Sequence, residues 1–106
     1  MTKITIFRNQ DQAFLGFDCL GHAGYAEEGE DIVCAGISAL VINTINSIEE
    51  FTGDTVTTTM HPDLVEMRIT SEQISPEAEL LLRSLVLGLQ GIQALSLIHI
   101  SEPTRP

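Results

Sequence analysis

The 106-residue sequence has no tryptophan, a single tyrosine (Tyr25) and only five basic residues. Against 15 acidic residues those five leave a formal net charge of −10, which excludes the basic footprint that nucleic-acid binding needs. A basic protein or peptide is the better electrostatic partner. There are two cysteines, Cys19 and Cys34. They fall in different expected elements, so no disulfide framework is expected and a reducing cytoplasm is the natural setting. No apolar run approaches the roughly 18 residues of a membrane span, and no signal peptide is expected ahead of the first strand. With 43% hydrophobic residues the chain can build one domain with a modest core, a size that favours a homodimer.

What the sequence does have is concentrated in residues 21–40, GHAGYAEEGEDIVCAGISAL. A loop containing Gly21, Gly24 and Gly29 carries His22, then an acidic run, then Cys34 at the start of an apolar helix. Glycine tolerates positive φ, so the loop can turn sharply and fold His22 back toward the helix. Reading Asp31 as the N-cap makes Ile32 the first helical residue and places Cys34 in the first turn. There the helix dipole favours an anion, and a neighbouring imidazolium lowers a thiol pKa further. Ser38 follows Cys34 by four residues, one turn along the same face, where it can line a site or bond locally to the backbone. Glu27, Glu28 and Glu30 read as a solvated face or as an attraction for a basic substrate.

The combination of G-H-A, a glycine-containing loop, G-x-D-[IV]-V-C and a helix start rich in small residues resembles the ribosomal-processing cysteine protease family of bacteria, Prp. The resemblance runs from about residue 3 to residue 89. It implies a catalytic dyad of His22 and Cys34, with Cys34 as nucleophile and His22 as general base and proton donor, and no cofactor. It also implies removal of a short N-terminal extension from large-subunit ribosomal protein twenty-seven. Gly21, Gly24, Asp31 and Ser38 are supporting candidates, and Asp31 as a third catalytic member has no support from spacing.

In chain order, residues 3–8 and 13–20 are expected strands joined by a polar turn at residues 9–12. In the second strand Leu15, Phe17 and Cys19 share one face, while Phe14, Gly16, Asp18 and Leu20 share the other. From Ile32 to Phe51 a helix is expected, with an apolar stripe of Ile37, Leu40, Val41, Ile45 and Ile48 that Val33 and Ile42 widen. Residues 55–60 and 64–70 form a second hairpin around His61-Pro62-Asp63, with Val65, Met67 and Ile69 inward. A second helix starts at Ser75-Pro76-Glu77 and keeps Ala78, Leu81, Leu82, Leu85 and Leu89 on one face up to Gly88 and Gly91. The order ββαββα predicts an α+β domain of two layers, a four-stranded sheet with both helices packed on one face.

Residues 95–106, LSLIHISEPTRP, match the translation of a transposase sequencing adapter. They are therefore expected to lie outside the fold, which makes residues 1–94 the single protease domain, with native C-terminal residues replaced. Two rival readings follow from the same residues. A zinc site would draw on Cys19, His22 and Cys34 with His61 or a carboxylate, but no metal is expected, because a core cysteine fits a ligand role poorly. A non-enzymatic acidic module that binds a basic ribosomal protein is the stronger alternative.

Overall fold

The computed structural model of the chain describes residues 2–21, 30–61, 64–94 and 98–101, and of residues 30–34 and 98–101 it describes the backbone. The elements run β1 (Thr2–Arg8), β2 (Phe14–Leu20), α1 (Glu30–Phe51), β3 (Val56–His61), β4 (Leu64–Ile69), α2 (Pro76–Gln93) and β5 (Ile98–Ser101). The sheet order is β3-β4-β2-β1-β5, and the first four strands are joined by antiparallel pairings. The ββαββα core of four antiparallel strands with two helices on one face is thus as the sequence predicts.

One buried cluster fills the space between the layers. Ile4, Ile6, Phe14, Phe17, Cys19, Val65 and Met67 point from the sheet to Ile37, Val41, Ile45 and Ile48 of α1 and to Ala78, Leu82, Leu85, Val86 and Leu89 of α2. Phe14 is a departure, since strict alternation places it opposite Phe17. The pairing of β1 with β2 shifts between Phe7 and Arg8, so that Phe7 faces Gly16 while Arg8 faces Phe14. This bulge leaves Leu15 as the extra residue and turns the Phe14 ring into the core. Gly16 makes the bulge possible. Its φ is 152°, and a Cβ there would lie 2.0 Å from the Met67 carbonyl oxygen.

The opposite face of the sheet is polar and tied together by Arg68. Its Nη1 donates to the carbonyls of Phe17 (3.1 Å) and Met67 (2.9 Å) and lies 2.8 Å from Asp18 Oδ1. The same guanidinium covers the Phe7 ring at 4.4 Å. One side chain therefore bridges three neighbouring strands beside the bulge.

Helix α1 begins at Glu30, two residues earlier than expected, so Asp31 lies inside the helix and is not its N-cap. Acidic residues are favoured throughout a first turn, and glutamate is the better helix former of the two. Helix α2 likewise passes through Gly88 and Gly91 before ending at Gln93. Gly88 packs closely on α1, and a Cβ there would meet Leu40 Cδ1 at 3.0 Å, so that the leucine side chain would have to shift. The two helices run antiparallel across this contact, since Gly36 of α1 lies near Ile92 and Leu40 near Gly88 of α2. Ile42, expected to widen the buried stripe of α1, is instead 46% exposed.

The start of α2 is held by Asp54, in the connection after α1. Its carboxylate accepts from the Ser75 backbone N–H (2.9 Å), from the Ser75 hydroxyl and from the Ser71 hydroxyl (3.3 Å). Ser75 in turn caps the helix by accepting from the Ala78 N–H at 3.1 Å. Burial alone would push the Asp54 carboxyl up, but the hydrogen bonds from Ser75, Thr52 and Ser71 outweigh it and hold the group below its ordinary value of 3.8.

A fifth strand is the addition to the expected architecture. Ile98–Ser101 lies parallel to β1, with Thr2 opposite Ile98 and Thr5 opposite Ser101. Without it β1 would be an open edge, and unpaired backbone groups on an edge accept any nearby segment of suitable pattern. The segment expected to stand apart from the fold supplies this strand.

Candidate active site

Strand β2 ends at Leu20, and Gly21 turns the chain out of the sheet with φ 85°. That is the positive φ expected of it, a conformation that costs an L-residue about 1–2 kcal/mol. His22 and Gly24 lie outside the described residues. Helix α1 then carries Asp31 as its second residue and Cys34 as its fifth, one turn in from the helix start. The expected third position was too close to the end. Since the dipole's effect falls off within the first turn, Cys34 receives a smaller share of it than a residue at the start would.

One turn beyond Cys34, Ser38 is half-buried and lines a pocket of about 140 Å³ together with Cys19, Val41, Ile42, Met60, His61 and Val65. Cys19, Val41 and Val65 form its buried floor, while Met60, 56% exposed, and Ile42 form its walls. Cys19 is thus the core residue that its place in β2 predicts. His61, at the end of the first strand of the second hairpin, shares this pocket with Ser38 and so lies toward the Cys34 end of α1. From Ser38 to Phe51 helix α1 travels about 20 Å away from that end. Strand β3 then runs about 17 Å back, so its last residues, Met60 and His61, return beside Ser38.

The sequence signal for this return was present in the element lengths. Turn chemistry and alternation define the hairpin only as a local unit and leave open where its turn lands in the fold. Strand direction therefore brings together residues from β2, α1, β3 and β4. Chemically, the site offers an apolar recess with one hydroxyl and one imidazole at its rim, opening beside the helical turn that bears Cys34.

The family model of "Cysteine protease Prp" matches residues 1–100. The "Ribosomal processing cysteine protease Prp" of Bacillus subtilis strain 168 is 44% identical over 48 residues, 45% of this chain and 43% of that protein. The protein of the same name from Staphylococcus aureus strain Mu50 is 34% identical over 74 residues, 69% of this chain and 70% of that one. These alignments span about two fifths and seven tenths of the relatives' lengths. In three dimensions the chain is similar to the essential ribosomal processing protease Prp from Staphylococcus aureus crystallised with a substrate peptide. The TM-score is 0.90 at 25% identity, over 97% of this chain and 100% of the other. The same Staphylococcus aureus protease has been crystallised with a covalently linked product peptide, and that structure matches at a TM-score of 0.86 and 26% identity, with the same coverage. By its motif, its fold and these relatives, the chain belongs to the cysteine protease Prp family.

Proposed function

We propose that the protein is a cysteine endopeptidase that removes the N-terminal extension of bacterial large-subunit ribosomal protein twenty-seven, with Cys34 as nucleophile and His22 as its base. The observation that carries this reading is the placement of Cys34 on α1, one turn before a recess that opens to solvent, within a chain of the Prp family. The covalent product complex of the Staphylococcus aureus relative supports a nucleophilic route.

His22 takes the proton of the Cys34 thiol, and the thiolate sulfur attacks the peptide carbonyl carbon. Backbone N–H groups near the helix start or in the glycine loop hold the oxyanion. On collapse the C–N bond breaks, His22 gives its proton to the leaving amine, and a thioester joins the substrate to Cys34. Water then attacks the thioester, with His22 accepting the water proton, and the thiol is restored. Because the dipole reaches Cys34 weakly, most of the thiolate activation falls to the imidazolium. Glu27, Glu28, Glu30 and Asp31 favour protonated His22 but disfavour the thiolate, so the two groups titrate as a coupled pair. Gly21 and Gly24 shape the loop, and Ser38 stands at the rim of the recess one helical turn beyond Cys34.

The enzyme works in the cytoplasm as a homodimer, without cofactor or metal. Residues 1–94 constitute the protease domain, and residues 95–106, although β5 is paired in the sheet, contribute nothing to turnover. Incubating the protein with the extended ribosomal protein and weighing the products as intact chains tests the assignment. The parent is expected to release one N-terminal fragment, and Cys34→Ala or His22→Ala to release none while staying folded. The double substitution should be little worse than either single one, as for members of one machine. A folded Cys34→Ala that cleaves as fast as the parent would make the acidic binding module the better reading.

A further inference from the structure

Strand β3 is the outer strand of the sheet, and its partner β4 covers only one of its two edges. Residues 57–61 are all exposed, and Val56 is half-buried. Natural edge strands are guarded by lysine, proline, bulges or inward charges. The sequence Val56-Thr57-Thr58-Thr59-Met60-His61 has no lysine and no proline, and its six pairings with β4 run without a register shift. At the other side of the sheet β1 is paired with β5, so among the described strands β3 offers the longest uncovered edge.

This edge leads into the pocket. Met60 and His61, the last residues of β3, form part of the lining, and the walls Ile42 and Met60 are large apolar side chains left in solvent. At about 140 Å³ the recess is close to the size of an engineered cavity that holds one benzene ring. It therefore accepts one branched aliphatic or aromatic side chain and no more. Ser38 lies about 6 Å along the helix axis from Cys34, the rise of four helical residues. A strand advances about 3.3 Å per residue, so that offset corresponds to about two residues of an extended peptide.

We propose that the substrate segment docks as an added strand on the free edge of β3 and drops one apolar side chain, about two residues from the cleaved bond, into the Ser38–Ile42–Met60–His61 recess. Main-chain hydrogen bonds to the edge supply affinity, and the recess sets the register that presents one peptide bond to Cys34. The acidic residues Glu27, Glu28, Glu30 and Asp31 precede the nucleophile in sequence, and their charge favours basic residues elsewhere in the same segment. This deepens the protease reading and rests on Cys34 being the nucleophile.

The test combines two measurements. In the full-length Cys34→Ala protein, amide exchange at residues 57–61 is followed with and without a peptide spanning the processed junction of the ribosomal protein. Exchange at the edge-facing amides is expected to slow at least tenfold when the peptide is bound. In the cysteine-bearing protein, Ile42→Asp and Met60→Asp are expected to lower kcat/KM at least tenfold, mainly through KM, with unchanged rates of Cys34 alkylation. Leu87→Asp, at an exposed position of α2, serves as the control and leaves all of these unchanged.

If the parent cleaves its substrate while β3 exchange is indifferent to the peptide, the docking proposal is overturned and the protease assignment stands. Variants at Ile42 and Met60 that keep kcat/KM within twofold overturn it as well. Protection of β3 that rises with protein concentration in the absence of peptide gives the edge to a second copy of the chain and also overturns it. Absence of cleavage by the parent, with sluggish Cys34 alkylation, overturns the protease reading instead.

Discussion

The two ends of helix α1 lie in different kinds of surroundings. At the Phe51 end, Asp54, Ser71 and Ser75 bind the chain connections to one another, and the nearby bulge at Gly16 is clamped by Arg68. At the Cys34 end, Ile42 and Met60 stand in solvent around an open recess, and among the described strands none pairs with the outer edge of β3. Polar groups at the first end are spent on one another. Those at the second, Ser38 and His61, stand at the rim of the recess. The difference teaches where this small domain is tied together: the end remote from Cys34 anchors the layers, and the other end leaves a recess open between helix and sheet.

Substitutions that add one methyl group separate the two ends most sharply. Gly16→Ala is expected to produce the largest effect, because a Cβ 2.0 Å from the Met67 carbonyl oxygen forces β2 away from β4. A loss of about 2–4 kcal/mol is expected from denaturant unfolding, together with loss of the bulge that turns Phe14 inward. A parent-like midpoint would mean that the anchoring end is softer than its contacts imply.

Asp54→Asn comes next. Removing the charge from a group that accepts from two serines is expected to cost about 1–2 kcal/mol at neutral pH. The pH dependence has a definite sign. The folded-state pKa of Asp54 is depressed, so its contribution is fully present above the unfolded value of about 3.9 and is lost as pH falls through the lower folded value. Melting curves of parent and variant should therefore be separated at pH 7 and converge as the pH is lowered from about 4. A separation that persists at low pH would assign the effect to geometry and not to charge.

The smallest expected effect has the opposite sign. Gly91 lies in α2 toward the end that faces the start of α1, and a Cβ there meets nothing within 4 Å. Gly91→Ala is expected to stabilise the protein by up to about 1 kcal/mol, the helix preference of alanine over glycine. Thermal melting checks it. One glycine is demanded by backbone contact near the anchored end, whereas the other is tolerated where packing is loose.

Much of this was legible in the residues. The two helices, the two hairpins, the cap at Ser75 and the inward rows of β1 and β4 follow from period and turn chemistry, because those signals act over a few neighbouring residues. Strict alternation puts Phe14 and Leu15 on the wrong faces, since it cannot register an extra residue whose presence depends on the partner strand. The start of α1 was set two residues late because Glu30 and Asp31 are both acceptable in a first turn. The close packing of Gly88 involves Leu40, which lies in another helix and is therefore not legible from the neighbours of Gly88 in sequence.

By itself, the sequence determined the order of the first six elements, the net negative charge, and a His22–Cys34 motif specific enough to point to one protease family. These are local or compositional properties, and no partner segment is needed to express them. Tertiary structure alone decided that His61 and Met60 return to Ser38, that Cys19 and Val65 form a floor beneath them, and that β3 is the outer strand among those described. Each of those depends on strand order and on the direction in which a helix and the following strand run. They are settled only when a sheet and two helices have to bury one common core.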